Sequence, residues 1–211
     1  MVKISTFNDK DVELLEKTPL YHGFFKIERY GFKHKLFAGG FSEPIYREIL
    51  ERGHAVAVLP YDPITDSVLL IEQIRIGALA SKSNPWLLEC IAGMADGSTD
   101  YQQVAKKEAL EEAGIELTDL EFMLSYLSSP GGTTERLYLY TASADLSQAG
   151  GIFGLPSEGE DIKVHILPFN DAMQLLNDGT IDNAATVISL QWLALHKASL
   201  LKKWALQDHA Q

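Results

Sequence analysis

Residues 93–115 read GMADGSTDYQQVAKKEALEEAGI, and this stretch decides the fold of the chain. Thr99, with Gln102 three positions later, is typical of a capping box that begins a helix. Gly114 suits the left-handed position at which helices commonly end. The pattern therefore predicts a helix over about residues 100–113.

Three glutamates lie near the end of this predicted helix. An α-helix advances about 100° per residue, so Glu108, Glu111 and Glu112 fall within an arc of roughly 100°. Carboxylates grouped in this way suit Mg²⁺, which takes one or two of them and leaves room for substrate phosphates. A solvated acidic helix face is the alternative, and it is the commoner outcome for an arbitrary pattern of this kind. Before the helix, the apolar run Trp86–Ala92 predicts a buried strand.

The whole stretch resembles the Nudix box, whose pattern is G-x5-E-x7-R-E-U-x-E-E-x-G-U with U apolar. The matching positions are Gly93, Glu108, Ala109, Glu111, Glu112, Gly114 and Ile115. Thr99 stands where the family has its first glutamate, and Lys107 stands where it has arginine. In the family these two side chains pair and brace the loop against the helix. We interpret the double change as structural, with Thr99 as a cap and Lys107 still cationic but without the planar fork of arginine.

The resemblance extends along nearly the whole chain to the bacterial ADP-ribose pyrophosphatase branch of the Nudix family. The further matching segments are Arg47-Glu48, residues 51–54, 70–75 and 86–89, Ser129-Pro130-Gly131-Gly132 with Glu135, and residues 182–185. Pro130 lies 15 residues past the end of the box, a distance typical of this branch. The fold implied is α/β: a Nudix α/β/α sandwich with a mixed sheet, plus a small N-terminal antiparallel β unit.

The resemblance also implies a metal centre. Its ligands would be the backbone carbonyl of Ala92 with Glu108, Glu112 and Glu160, and its ions two or three Mg²⁺, for which Mn²⁺ can substitute. Glu158 matches the general base and Glu111 a residue that orients water. Without the resemblance, Glu158 and Glu160 equally fit a solvated acidic loop. Their two roles could also be exchanged, since they are only two positions apart.

Eleven positions match substrate contacts of the family. They are Phe24, Phe25, Arg47, Glu48, Arg52, Arg75, Met94, Ser129, Pro130, Gly131 and Glu135. A guanidinium fork fits phosphate well, but the residue types alone equally allow surface ion pairs for Arg52 and Arg75. They likewise allow a strand-core aromatic pair for Phe24 and Phe25. His54 and His165 have no neighbouring ligand pattern, and we expect both to be structural.

Composition limits the class of protein. A length of 211 residues suits one main domain with an appendage, here residues 51–211 and 1–50. The net charge of −11 argues against a nucleic-acid surface. No apolar run approaches membrane-spanning length and no signal stretch is present, so no membrane partner is expected. The single cysteine, Cys90, indicates a buried thiol in a reducing cytoplasm.

The first fifty residues are rich in strand-forming residues, with predicted strands at residues 21–30 and 32–37 and a turn at Ala38-Gly39-Gly40. So few strands bury little surface alone, so they must pack on their own chain or on a partner. The resemblance favours a homodimer with exchanged N-terminal segments. Further along the chain, strands are predicted at residues 55–60, 67–73, 120–127, 136–144 and 163–167. A long loop over 145–161 and two C-terminal helices complete the expected order.

The leading hypothesis is Mg²⁺-dependent hydrolysis of ADP-ribose to AMP and ribose 5-phosphate. A second hypothesis keeps the Nudix chemistry but changes the substrate to another nucleoside diphosphate derivative, such as a GDP-sugar, NADH or a dinucleoside polyphosphate. A third is a catalytically weak nucleotide-binding module, which the changes at Thr99 and Lys107 motivate. The retained glutamates of the box argue against that third hypothesis.

Overall fold

The computed structural model describes residues 7–208, apart from the side chains of Glu158 and of residues 206–208. The chain divides into two compact units. The N-terminal unit comprises Met1–Gly53 with Leu127–Glu135, and the main unit comprises His54–Tyr126 with Arg136–Gln211. The α/β fold expected from the sequence is confirmed.

A three-stranded antiparallel sheet forms the N-terminal unit, in the order β1 (Val12–His22), β2 (Lys26–His34) and β3 (Ile45–Glu51). The prediction of one strand over residues 21–30 was wrong, because the chain turns at residues 23–25 and the N–H of Gly23 donates to the carbonyl of Phe25 (3.0 Å). The turn predicted at residues 38–40 is confirmed, since the N–H of Gly39 donates to the carbonyl of Leu36 (2.9 Å).

The main unit is built on an eight-stranded mixed sheet. Its strands are β4 (Ala55–Asp62), β5 (Ser67–Ile74), β6 (Trp86–Glu89), β7 (Ile91–Met94), β8 (Leu120–Leu127), β9 (Arg136–Ser143), β10 (Gly151–Phe153) and β11 (Ile162–Pro168). The order is β10-β11-β5-β4-β9-β8, with β6 on β5 and β7 on β4. Strand β4 runs parallel to β9 and antiparallel to β5. All eight residues of β4 are buried, as expected for a central strand covered on both faces.

Helices cover both faces of this sheet. Alternate residues of a strand point to opposite faces, so neighbouring apolar residues of β4 and β5 serve two different cores. One core packs α1 (Tyr101–Ala113), through Ala105, Ala109 and Ala113, on Val56, Val58, Leu69 and Ile71. The other packs α2 (Phe169–Asn177) and α3 (Ala184–Asp208), through Phe169, Ala172, Leu190 and Leu193, on Ala57, Leu59, Val68 and Leu70. The main unit is therefore the expected α/β/α sandwich. Within the described part of the chain, no helix has the length and apolarity needed to cross a membrane.

The run predicted as one strand over residues 86–92 is broken at Cys90. Strand β6 pairs with β5, whereas β7 pairs with β4, so the chain passes from one neighbour to the other. It can do so because β4 and β5 pair with each other only at their turn ends, where Tyr61 faces Val68. The buried N–H of Cys90 leaves the ladder and donates to the hydroxyl of Thr186 in α3 (2.8 Å).

Other expectations differ less from the structure. Strand β8 has the predicted bounds, and the long loop over residues 145–161 contains the short strand β10 and one 3₁₀ turn. Both histidines, expected to be structural, make hydrogen bonds within the main unit. Nδ1 of His54 accepts from the N–H of Arg136 (3.2 Å), and Nε2 of His165 lies 2.8 Å from Oε2 of Glu72.

Candidate active site

The N-cap of helix α1 lies one residue later than predicted, and the helix begins at Tyr101. Asp100, not Thr99, is the N-cap, and its Oδ1 accepts from the N–H of Gln103 (3.1 Å). The prediction of Thr99 as the cap was therefore wrong, because aspartate is a stronger cap than threonine and Asp100 is the residue that reaches the N–H of Gln103. Gly114 ends the helix in the left-handed region (φ 64°), as predicted.

Two of the box glutamates contact strand β7. Glu112 is 3% exposed, and its Oε2 accepts from the N–H of Ala92 (3.0 Å). Glu108 lies against Gly93, where an added Cβ would stand only 2.2 Å from the carboxyl carbon of Glu108. The absence of a side chain at position 93 thus leaves room for this carboxylate in its present position.

Electrostatics at these acids favours a cation. Burial, together with the nearby charges of Glu108 and Glu160, raises the pKa of Glu112 to about 8, although the N–H of Ala92 opposes the shift. The pKa of Glu108 is also raised, mainly by burial and in part by Glu111 and Glu160. Carboxylates that are desolvated and close to one another in this way are stabilised in their ionised form by a bound metal ion.

The described residues nevertheless include no group of three His, Cys, Asp or Glu side chains that could hold a metal ion alone. Glu160, predicted as a third carboxylate ligand, uses Oε2 to accept from the N–H of Leu155 (3.0 Å). Mg²⁺ usually keeps several waters and takes only one or two carboxylates, with substrate phosphates completing its shell. Glu108 and Glu112 therefore fit that ion. The side chain of Glu158, the predicted base, lies outside the described part.

Glu111 is half-buried near Glu108 and is engaged by a lysine of its own helix. Its Oε2 accepts from Nζ of Lys107 (2.8 Å), and the same Nζ lies 3.6 Å from Glu108. Lys107, which replaces the arginine of the box, is therefore held by two box glutamates of its own helix. Its pKa is raised, chiefly by the hydrogen bond to Glu111.

Arg75, a predicted phosphate contact, forms an ion pair in which its Nε lies 2.7 Å from Oε2 of Glu89. Glu89 is buried, and burial raises its pKa although Arg75 opposes the shift. Glu89 is not among the site residues predicted from the sequence. Alternation along β6 could have found it, because Leu88 belongs to the core under α3 and Glu89 must then face α1. Met94, another predicted contact, ends β7 and is half-buried.

In the N-terminal unit, three predicted substrate contacts come together. The guanidinium of Arg52 lies over the ring of Phe25 (5.5 Å to the centroid). Its Nε is 3.1 Å from Oε1 of Glu135, an ion pair whose angle does not meet hydrogen-bond geometry. Phe24 packs edge-on against Phe25 (4.9 Å between centroids) but is itself 87% exposed. The alternative of a core aromatic pair thus fails for Phe24.

Other predicted contacts line a cavity of the same unit. This cavity has a volume of about 440 Å³ and is formed by Val12, Leu14, Tyr30, Phe32, Arg47, Ile49, Pro130, Gly131, Thr133 and Thr134. Ser129 begins the tight turn of this region, where its carbonyl accepts from the N–H groups of Gly132 (2.9 Å) and Thr133 (3.0 Å). Glu48 is exposed on β3 and does not line the cavity.

Comparison with known proteins shows the family and the relatives of this chain. Residues 51–190 match the sequence model of the NUDIX domain family. The chain is 48% identical to a protein of Escherichia coli (strain K12) named ADP-ribose pyrophosphatase, over 95% of this chain and 96% of that one. A Haemophilus influenzae protein of the same name is also 48% identical, over 97% and 95%.

Two more distant similarities are to a protein with a different named substrate and to a solved structure. A Pectobacterium atrosepticum protein named GDP-mannose pyrophosphatase is 34% identical, over 85% of this chain and 92% of that one. A crystal structure described as an ADP compounds hydrolase superposes with a TM-score of 0.67, at 18% identity, and covers 92% of this chain and 98% of its own. That last similarity supports the fold alone.

Proposed function

Because this chain belongs to the Nudix family, we propose that it hydrolyses the diphosphate bond of ADP-ribose and releases AMP and ribose 5-phosphate. The observation that carries the chemistry is the placement of two glutamates on strand β7. Glu108 lies against Gly93, and Glu112 accepts a hydrogen bond from the N–H of Ala92. The choice of substrate is supported by the names of the two relatives that are 48% identical.

A bound metal would neutralise the charge of the diphosphate and make a nearby water more acidic. We assign it to Glu108, Glu112, Glu160 and the carbonyl of Ala92, as two or three Mg²⁺ ions or Mn²⁺ in their place. The donor set is oxygen only, which suits either ion. The hydrogen bond from Ala92 fixes the orientation of the Glu112 carboxylate, so one of its oxygens is already committed before substrate arrives.

In the proposed reaction, water attacks one phosphorus of the diphosphate, and the bridging P–O bond breaks to leave the second phosphate as the leaving group. Glu158 accepts the proton of the attacking water. Glu111 orients water, and Lys107 holds Glu111 in place through their 2.8 Å hydrogen bond. Arg75, held by Glu89, contributes positive charge at the phosphates.

In the N-terminal unit, substrate recognition is assigned to the guanidinium of Arg52, which lies between Phe25 and Glu135. Phe24 is assigned as an exposed aromatic ring on which the nucleobase stacks. The remaining assigned contacts are Arg47, Glu48, Ser129, Pro130, Gly131 and, in the main unit, Met94. A net charge of −11 repels anionic nucleotides at long range, so the capture of substrate depends on such local cations.

We also propose that residues 1–50 mediate a homodimer with exchanged N-terminal segments. This is supported by the large apolar side chains that the N-terminal unit leaves exposed, among them Val12, Leu14, Leu20, Tyr21, Phe37 and Tyr46. Light scattering at micromolar concentration should give a mass near twice 23.4 kDa, and a monomer would contradict the proposal. The free, buried thiol of Cys90 supports a cytoplasmic location.

The second candidate is hydrolysis of a GDP-sugar. The relative named GDP-mannose pyrophosphatase motivates it, and cleavage of the diphosphate by the Nudix box does not depend on which nucleobase the substrate carries. Values of kcat/KM for ADP-ribose, GDP-mannose, NADH and a dinucleoside polyphosphate would decide between the two candidates. We expect ADP-ribose to be preferred at least tenfold.

Product analysis tests the proposal directly. With ADP-ribose and Mg²⁺ the products should be AMP and ribose 5-phosphate in equal amounts, and removal of Mg²⁺ with EDTA should stop their release. Glu112→Gln should lower kcat by orders of magnitude while circular dichroism remains unchanged. Glu116→Gln, an exposed glutamate beyond the end of α1, is the matched control. Near-normal turnover in the Glu112 variant would refute the metal assignment.

A further inference from the structure

Gln73, in strand β5, carries a buried amide without a partner. The residue is 6% exposed, and its Nε2 has no hydrogen-bond partner within the described part of the chain. Most buried polar side-chain atoms in folded proteins are paired, because an unpaired donor loses its hydration without compensation. A donor left in this state suggests that a ligand, rather than the protein, satisfies it.

The position of Gln73 indicates which ligand this is. Leu69 and Ile71, two and four residues earlier on β5, pack against α1, so Gln73 lies on the same face of the sheet. Arg75, two residues further on, binds Glu89 on β6. The pairing of Ile71 with Glu89 puts Glu89 beside this row. The unpaired amide therefore lies between the core under α1 and the guanidinium assigned to the phosphates.

We propose that the side-chain amide of Gln73 binds substrate by donating a hydrogen bond to a diphosphate oxygen. This inference rests on the function proposed above. An amide N–H is a suitable donor to an anionic phosphate oxygen, and hydrogen bonds to charged groups are the stronger ones. Being neutral, the amide contributes this contact without forming an ion pair with the nearby carboxylates, as an additional lysine or arginine would.

The test is Gln73→Met, which keeps the length of the side chain and removes its polar atoms. If the donor is unpaired until substrate binds, the substrate-free variant in EDTA should melt at the same temperature as the wild type or up to about 4 °C higher. Its kcat/KM with Mg²⁺ should fall about 10- to 100-fold. The rise in Tm that ADP-ribose produces in EDTA should shrink in the variant.

Ser189→Ala is the matched control. Ser189 is 1% exposed on α3, at the other face of the sheet, and its hydroxyl has no hydrogen-bond partner among the described residues beyond a weak interaction with the Cys90 thiol. This variant should keep its kcat/KM, whatever its change in Tm.

Two results would overturn the inference for Gln73. A Tm that falls by several degrees would show that the protein itself satisfies the amide, whatever happens to turnover. An unchanged kcat/KM with an unchanged or raised Tm would show that the amide only occupies space or holds a water. If the wild type does not cleave ADP-ribose, the proposed function fails separately. The same comparison is then made with the diphosphate that the wild type does cleave.

Discussion

Replacing Gly93 with alanine should separate activity from stability. The added Cβ would stand 2.2 Å from the carboxyl carbon of Glu108 and 2.3 Å from its Oε1. Ordinary contact begins near 3.4 Å, so the carboxylate must retreat by about 1.2 Å. The atoms that must move are the carboxyl group and Cγ of the Glu108 side chain, with no backbone atom among them, and Gly93 is not among the residues with positive φ. The backbone conformation at position 93 can therefore accept alanine, provided that the Glu108 side chain changes its rotamer.

The magnitude follows from that displacement. A misplacement of about 1 Å in a catalytic arrangement costs about 100-fold in rate, so kcat/KM of Gly93→Ala should fall by about that factor. Stability should stay level or rise slightly, because alanine reduces the freedom of the unfolded chain by about 0.4–1 kcal/mol. The Mg²⁺ concentration needed for half-maximal rate should also increase, because Glu108 is an assigned ligand.

The assay is AMP release from ADP-ribose over a range of Mg²⁺ concentrations, together with thermal denaturation in EDTA. Gly77→Ala is the matched control, since a Cβ at Gly77 meets nothing within 4 Å and its φ is not positive. If Gly93→Ala keeps kcat/KM within threefold of this control, Glu108 does not need its present position, and the reasoning fails.

Three further predictions concern the same region. Because the pKa of Glu112 is about 8 when folded and 4.5 ordinarily, the folded metal-free protein holds a proton that the unfolded chain releases. Its free energy of unfolding should therefore fall between about pH 5 and 8, by at most about 1.4 kcal/mol per pH unit, and denaturant titrations should show no such slope in Glu112→Gln. Thr186→Val should cost about 1–3 kcal/mol in thermal denaturation, because the buried N–H of Cys90 loses its acceptor, whereas Thr186→Ser should not. Thr99→Glu combined with Lys107→Arg should change kcat/KM less than tenfold; a large rise from near zero would mean that the natural protein is a weakened enzyme.

The sequence predicted helix α1 nearly to the residue because its signals are local. The glutamates recur at helical spacing, and Gly114 marks the end that the structure confirms. The start was misplaced by one residue because Thr99 and Asp100 are both good caps, and only the fold decides which side chain meets the N–H of Gln103. The prediction of one strand over residues 21–30 was wrong for a similar reason, since the pattern of interleaved aromatic residues is the same on both sides of a tight turn.

Features that depend on distant parts of the chain were not predictable in this way. Nothing in the apolar run around Cys90 indicates a break, because its cause is the divergence of β4 from β5 and a hydroxyl 96 residues away. The unpaired state of Gln73 is likewise a property of its surroundings rather than of its residue type. The acids of the candidate site were therefore recognisable, whereas the arrangement that holds them was not.

The hydrogen bond between Cys90 and Thr186 has a consequence for the order of protein synthesis. Every assigned metal ligand has been translated by residue 160. The hydroxyl of Thr186, which accepts from the N–H of Cys90 at the break between β6 and β7, comes 26 positions later, at the start of α3. A nascent chain that has exposed only residues up to 160 therefore has the ligands without the hydrogen bond that holds the break at Cys90. The catalytic centre should mature only after α3 has emerged from the ribosome and docked on the sheet.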